Sequence, residues 1–113
     1  MGTTATPKAI TVDGVTPTYN TAASGDKVAA GGRGVFVTVK NGGAAPVTLT
    51  VNPPGKTQYG VANPAKTWSI AAAGEQDIPM LAAYGDPSDG GRIALGWSAT
   101  ASVTWAAKQI GVV

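Results

Sequence analysis

The sequence predicts an all-β protein, an antiparallel β-sandwich or a small β-barrel of about six to eight short strands. Several segments alternate apolar and polar residues with a period of two, which is typical of strands with one buried face. Turn-forming stretches rich in Gly, Pro, Asn and Asp separate these segments. We find no amphipathic helical pattern of useful length, so the strand patterns determine the fold class.

The clearest strand signal lies in the middle of the chain. From Val35 to Lys40 the valines occupy alternate positions, and the same alternation returns from Val47 to Asn52. The intervening segment Asn41–Pro46 is rich in turn residues. We therefore expect these two strands to form an antiparallel hairpin with one apolar face and one Thr-rich face.

A second hairpin is expected near the end of the chain. Ile93, Leu95 and Trp97 share one face of a predicted strand, and Val103 and Trp105 share one face of the next. Aromatic and β-branched residues at such positions pair well across strands. Weaker strand patterns occur at Ala9–Val12, Thr67–Ile70 and Glu75–Ile78.

The chain divides into two regions by composition. Residues 1–33 hold few large apolar residues and are interpreted as an extended N-terminal arm, whereas residues 34–113 are interpreted as a β-sandwich domain. The arm either remains loose or orders along a neighbouring subunit. The glycine-rich run Gly31–Gly34 is followed by a predicted strand, so we interpret it as a loop and not as a phosphate-binding site.

The composition favours a binding or structural role over catalysis. The 113 residues include no His and no Cys, so the usual proton-transfer and thiolate chemistries have few residues available. We expect no catalytic residues, no cofactor and no metal ligands. The net charge is only +2 and the basic residues are scattered, which disfavours nucleic acid as a partner. No stretch approaches the roughly 20 apolar residues of a membrane helix, and we expect neither a membrane partner nor a signal peptide.

Two groups of carboxylates are candidate sites. Asp86 and Asp89 flank Ser88 in a Gly-rich loop, but a calcium loop needs about six oxygen ligands, so we interpret this segment as a turn. Glu75 and Asp77 are expected on the same face of one strand, whereas glycoside hydrolysis needs carboxylates across a cleft. A solvated strand edge is the interpretation that we favour.

The aromatic residues suggest where a partner could bind. The three tryptophans, Trp68, Trp97 and Trp105, lie in phase with strand residues and are expected in the core. The tyrosines fall in loops or at strand ends. Together with two apolar residues of the arm they form the candidate partner-binding set: Ile10, Val12, Tyr19, Tyr59 and Tyr84.

Two longer motifs carry a family resemblance. One is the run from Tyr84 to Ile110, with an Asp-Gly-Gly-Arg turn followed by Ser-Ala-Thr-Ala-Ser-Val-Thr; the other is Asn-Gly-Gly-Ala-Ala-Pro-Val-Thr-Leu-Thr-Val upstream. Residues 34–113 resemble small β-rich structural proteins of tailed bacteriophages, especially actinophage-like ones, among which are capsid decoration (cement) proteins.

This resemblance implies a function without catalysis. A decoration protein binds the outer surface of the major capsid shell and bridges its subunits, so the expected partners are the major capsid protein and further copies of this chain, with a trimer favoured. The expected location is the virion, after synthesis in the host cytoplasm. Two alternatives remain open: another virion component, such as a head–tail connector, tail tube or fibre, and a carbohydrate-binding β-sandwich module with an exposed tryptophan.

Overall fold

The structure, a computed structural model, describes residues 2–29, 34–53, 55, 58–81 and 84–110. Its described part confirms the all-β class, with 44% of the described residues in strands or β-bridges and no helix of seven residues or more among them. One short 3-10 helix spans Pro87–Asp89. The strands are β1 (Thr4–Ala5), β2 (Lys8–Ala9), β3 (Asn20–Thr21), β4 (Lys27–Val28), β5 (Val35–Asn41), β6 (Val47–Val51), β7 (Lys66–Ile70), β8 (Glu75–Pro79), β9 (Ile93–Ala94), β10 (Gly96–Trp97) and β11 (Val103–Gln109).

The strands form three open sheets. The largest has five strands in the order β2-β11-β5-β8, with β3 also paired to β11. The second has the order β10-β6-β7 and the third the order β1-β4-β9. The sheets do not close into a barrel. Of the two architectures that the sequence left open, the barrel is therefore wrong.

One core lies among the three sheets. In β5, Val35, Val37 and Val39 face this core, as the period-two pattern predicts. The second sheet contributes Leu49 and Ile70, among others. Fully burying a side chain of this size stabilises the fold by about 1.5–3 kcal/mol.

Neither predicted hairpin forms. β5 pairs with β11 and β8, whereas β6 pairs with β7 and β10, so the two strands of the first predicted hairpin belong to different sheets. The second prediction fails in the same way, because β10 joins the second sheet and β11 the large one. The period-two pattern identified the buried faces correctly, but those faces meet across the core instead of lying side by side.

A buried asparagine explains how the chain crosses between sheets after β5. Asn41 is 2% exposed, and its Nδ2 donates to the carbonyl oxygen of Ala45 at 2.8 Å and to those of Ile70 and Ala71 at 3.3 Å. Its Oδ1 accepts from the backbone N–H of Gly43 at 3.0 Å. The side chain thus fixes the loop after β5 and ties it to the end of β7.

The N-terminal residues are extended and lie against the β-domain of the same chain. β1 pairs with β4 in parallel, and β2 pairs in parallel with β11, so the sheets are not purely antiparallel as predicted. β3 pairs with β11 in antiparallel orientation. Whether these residues also contact a neighbouring subunit stays a prediction.

Some predicted features lie outside the described residues. These are residues 31–33 of the glycine-rich run. The sequence of residues 80–84 is compatible with a single helical turn, but residues 82–83 lie outside the described part. The apolar residues at 110 and 112 predict that the final strand continues, and residues 111–113 lie outside it too. The described residues form eleven strands, more than the six to eight predicted, and six of the eleven are only two residues long.

Candidate functional site: a surface around the N-terminal segment

The structure separates the five predicted partner-binding residues into groups. Ile10, Val12 and Tyr19 all lie on the segment that joins β2 to β3. Tyr84 instead packs against Trp68 of the second sheet, with ring centroids 6.1 Å apart in an edge-to-face arrangement. Tyr59 lies in the loop between β6 and β7 and is 90% exposed. Only the residues of the first group lie on one segment of the chain.

Exposed apolar residues gather at one end of the large sheet. The Ile10 N–H donates to Gln109 O at the end of β11, and the Ile110 N–H donates to Gly34 O just before β5. Leu81 reaches the same end, because it follows Met80, whose N–H donates to Val35 O. Ile110 is 48% exposed, Leu81 50% and the nearby Val12 84%. We call Ile10, Val12, Leu81 and Ile110 the apolar end; clustered exposed apolar groups are typical of interaction surfaces.

Beside the apolar end, lysines converge on Tyr19. Lys40 Nζ lies 4.1 Å from the centre of the Tyr19 ring and Lys108 Nζ lies 5.4 Å from it. Lys108 Nζ also donates to the Tyr19 hydroxyl at 3.3 Å. Lysine–tyrosine contacts of this kind contribute about 0.5–1 kcal/mol at exposed sites. Tyr19 is therefore held in place on the outer face of the large sheet.

A third lysine lies next to Lys108. Lys8 and Lys108 are directly opposite each other in the β2–β11 pair, and Lys8 Nζ donates to Thr16 O at 2.6 Å. Both lysines line a cleft of about 310 Å³. We call this the lysine cleft, and its lining residues are Lys8, Ile10, Gly14, Val15, Pro17 and Lys108.

A buried carboxylate fixes the start of the N-terminal segment. Asp26 is fully buried, and its Oδ2 accepts from Ala23 N at 2.8 Å, Trp97 Nε1 at 2.9 Å and Trp105 Nε1 at 3.0 Å. Its Oδ1 accepts from Thr3 N at 2.9 Å. Four donors around one carboxylate satisfy a group that would otherwise be costly to bury.

Sequence reasoning missed Asp26, because residues 22–34 show no strand pattern and are typical of a loop. One signal in the sequence could have found it. A buried tryptophan needs an acceptor for its indole N–H, and the chain offers only six carboxylates to its three tryptophans, so each carboxylate is a candidate acceptor.

The three tryptophans also differ in burial. Trp105 is fully buried as predicted, whereas Trp68 and Trp97 are partly buried at the edge of the core.

The acidic loop forms a turn, as its sequence indicates. Asp86 Oδ1 accepts from Ser88 N at 2.9 Å and from Ser88 Oγ at 2.7 Å, which caps the short 3-10 helix. Asp89 pairs with Lys27 at 2.6 Å and with Arg92 at 3.1 Å. The hydrogen bond from Lys27, with the charges of Lys27 and Arg92, holds the pKa of Asp89 below its ordinary value of 3.8. Among the described residues no three acidic side chains come together as metal ligands would.

The other carboxylate pair lies on the edge strand β8. Glu75 and Asp77 are both exposed, and Thr38 Oγ1 donates to Asp77 Oδ1 at 2.6 Å. Charged residues and the final Pro79 on such an edge discourage pairing with another chain. Their position agrees with the predicted solvated edge.

No protein-family model, curated protein or solved structure matches this chain. Within the part of the chain that the structure describes, no helix is long and apolar enough to cross a membrane.

Proposed function

We propose that this chain is a bacteriophage capsid decoration protein, which binds the outer surface of the major capsid shell and stabilises it by bridging subunits. The observation that carries the proposal is the apolar end, where Val12, Leu81 and Ile110 expose large side chains at one end of the large sheet. When a partner covers an apolar surface of this kind, its removal from water lowers the free energy of the complex. The resemblance of residues 34–113 to virion proteins supplies the identity of that partner.

The proposed mechanism is mechanical. Each copy contributes a small interface, but a shell carries many copies, so modest individual affinities add up to a large resistance to expansion and disassembly. The all-β fold suits this role, because its sheets give a rigid body that presents a contact surface with little loss of conformational entropy on binding.

The N-terminal segment limits which variants can test the proposal. Deleting residues 1–12 would remove β1, β2 and the Thr3 N–H, which donates a hydrogen bond to Asp26 Oδ1. Such a truncation would disturb folding and binding together. A substitution at an exposed apolar residue is sharper, and Val12 is the most exposed member of the apolar end.

The experiment is co-sedimentation of the purified protein with assembled capsid shells from the chain's own source. Wild-type protein is expected to bind at a fixed copy number per shell, and Val12→Asp is expected to bind about tenfold more weakly with an unchanged Tm. Ser69→Asp, at an exposed position of β7, is the matched control and is expected to bind normally. Wild-type protein that never sediments with shells would refute the proposed function, whereas normal binding by Val12→Asp would refute the role of the apolar end.

A further inference from the structure

We propose that the lysine cleft binds an acidic segment of a partner protein in which a carboxylate side chain and an apolar side chain stand two positions apart. The cleft has a volume of about 310 Å³ and opens between the side chains of Lys8 and Lys108. Its remaining lining comes from Ile10, Val15 and Pro17, with Gly14 at the turn. The inference follows from the charges, from this apolar lining and from the position of the cleft.

The charges of the cleft are unbalanced. Among the described residues, no carboxylate lies within 4.0 Å of the Nζ atoms of Lys8, Lys40 or Lys108. Lys27 and Arg92 provide the contrast, because both pair with Asp89. Lys40 and Lys108 lie near Tyr19, and Lys8 is directly opposite Lys108. Lys66 also has no carboxylate within 4.0 Å among the described residues, but it lies over Trp68 in the second sheet.

The repulsion between Lys8 and Lys108 lowers the stability of the folded chain when no anion is bound. Like charges directly opposite each other on neighbouring strands destabilise a sheet, and Lys8 and Lys108 are such a pair. An anion placed between them would remove that repulsion and add two attractive interactions. The structure is therefore electrostatically complementary to a negatively charged occupant.

The apolar lining narrows the class of occupant. Ile10, Val15 and Pro17 are each partly exposed in the cleft, so an inorganic anion would leave them in contact with water. A nucleic acid backbone carries regularly spaced phosphates and is bound by a longer track of cations than three lysines provide. In an extended peptide, side chains two positions apart point to the same side, so a carboxylate and an apolar side chain at such positions fit a lysine of the cleft and the apolar lining beside it.

The position of the cleft connects it with the apolar end, since Ile10 belongs to both. A partner lying on the apolar end would therefore contact a residue that also lines the cleft. The assignment of the acidic segment to a capsid protein rests on the proposed function. The assignment of the cleft as a site for an acidic segment rests only on its charges and lining.

The test is an NMR titration of the full chain, at low salt, with a synthetic peptide that repeats Glu-Ser-Val-Ser, so that Glu and Val share one face when the peptide is extended. The amide signals of Lys8, Val15 and Lys108 are expected to shift in a saturable way. A peptide that repeats Lys-Ser-Val-Ser is the charge control and is expected to cause no shift. Double-stranded DNA of equal charge is expected to bind more weakly at the same positions; tighter binding of DNA there would overturn the assignment to a protein segment.

One substitution removes the charge complementarity of the cleft. Lys8→Glu places a carboxylate opposite Lys108, so that these two charges pair with each other instead of with an added anion. Peptide affinity is expected to fall by about tenfold or more. Lys66→Glu, on a lysine that lies over Trp68 in the second sheet, is the matched control and should leave peptide affinity unchanged.

The outcomes separate this proposal from the proposed function. Unchanged peptide binding by Lys8→Glu, or peptide-induced shifts confined to other surfaces, would each overturn the lysine cleft as an acidic-peptide site. Peptide binding at the cleft in a protein that does not bind shells would leave the cleft standing and refute the decoration role. Shell binding that Lys8→Glu does not weaken would keep the decoration role and refute the assignment of the acidic segment to a capsid protein.

Discussion

The sharpest prediction about stability concerns the unequal use of the two oxygens of Asp26. Oδ2 accepts three hydrogen bonds, from Ala23 N, Trp97 Nε1 and Trp105 Nε1, whereas Oδ1 accepts only the one from Thr3 N. Asparagine keeps one acceptor oxygen and replaces the other with a donor. We expect its carbonyl oxygen to take the Oδ2 position, so that the amide group faces the Thr3 N–H.

Asp26→Asn and Asp26→Ala should therefore differ in a defined way. The asparagine leaves one donor without an acceptor, at a cost of about 1–3 kcal/mol in the free energy of unfolding. Alanine leaves all four donors without one, and even if water rescues the two most accessible, the remaining two give about 2–6 kcal/mol. Because a domain of this size has a total stability of about 5–15 kcal/mol, the alanine variant is expected to lose a large share of its stability.

Urea unfolding followed by tryptophan fluorescence measures both values, and amide hydrogen exchange locates the effect. In Asp26→Asn, the amides of Lys27 and Ala29 should exchange faster, because they donate to Thr3 O and Ala5 O of the N-terminal segment. Asp13→Asn, at an exposed aspartate, is the control. Equal destabilisation by the asparagine and alanine variants would refute the assigned asymmetry, and stability within 0.5 kcal/mol of wild type for both would refute the hydrogen bonds themselves.

Three further predictions concern the N-terminal contact, the surface ion pair and the core. A Cβ atom added at Gly2 would lie 2.0 Å from the backbone carbon of Gly25, so Gly2→Ala should detach the first residues and raise their susceptibility to proteolysis, with no change there as the contrary result. Asp89 has a lowered pKa in the folded state, so its ion pair with Lys27 stabilises the fold above pH 3.8, and this contribution is lost as the pH falls through the folded-state pKa. Urea midpoints of wild type and Asp89→Asn should therefore converge at low pH; a constant difference would count against the pair. Leu49→Ala, at a fully buried position of β6, should lower the free energy of unfolding by about 2–5 kcal/mol, and a loss below about 1 kcal/mol would contradict the packing of that core.

The sequence predicted the faces of the strands well and their partners poorly. Period-two alternation requires only that one side of a strand meets an apolar surface, and Val35, Val37 and Val39 do so. It contains no information on which strand lies alongside, so the expected pairing of β5 with β6 was wrong. The side chain that directs the crossing, Asn41, looks in the sequence like any turn residue.

The candidate site was predicted in part for a related reason. Ile10, Val12 and Tyr19 were chosen because apolar and aromatic residues in a polar segment suggest contact with a partner, and the structure places them on one segment across the large sheet. In the sequence, Lys8, Lys40 and Lys108 look like scattered charges because they are far apart in the chain. In the structure they lie on adjacent strands, since β11 is between β2 and β5 in the large sheet. Two-residue strands such as β2 are too short to show periodicity.

The pairing of β2 and β3 with β11 constrains how a newly made chain can fold. β2 and β3 leave the ribosome about 80 residues or more before β11, so the large sheet cannot close until β11 has emerged. Long-range pairing of this kind slows folding. A ribosome-stalled nascent chain that exposes residues 1–100 should thus be cleaved readily by protease, and one that also exposes Val103–Gln109 should become resistant.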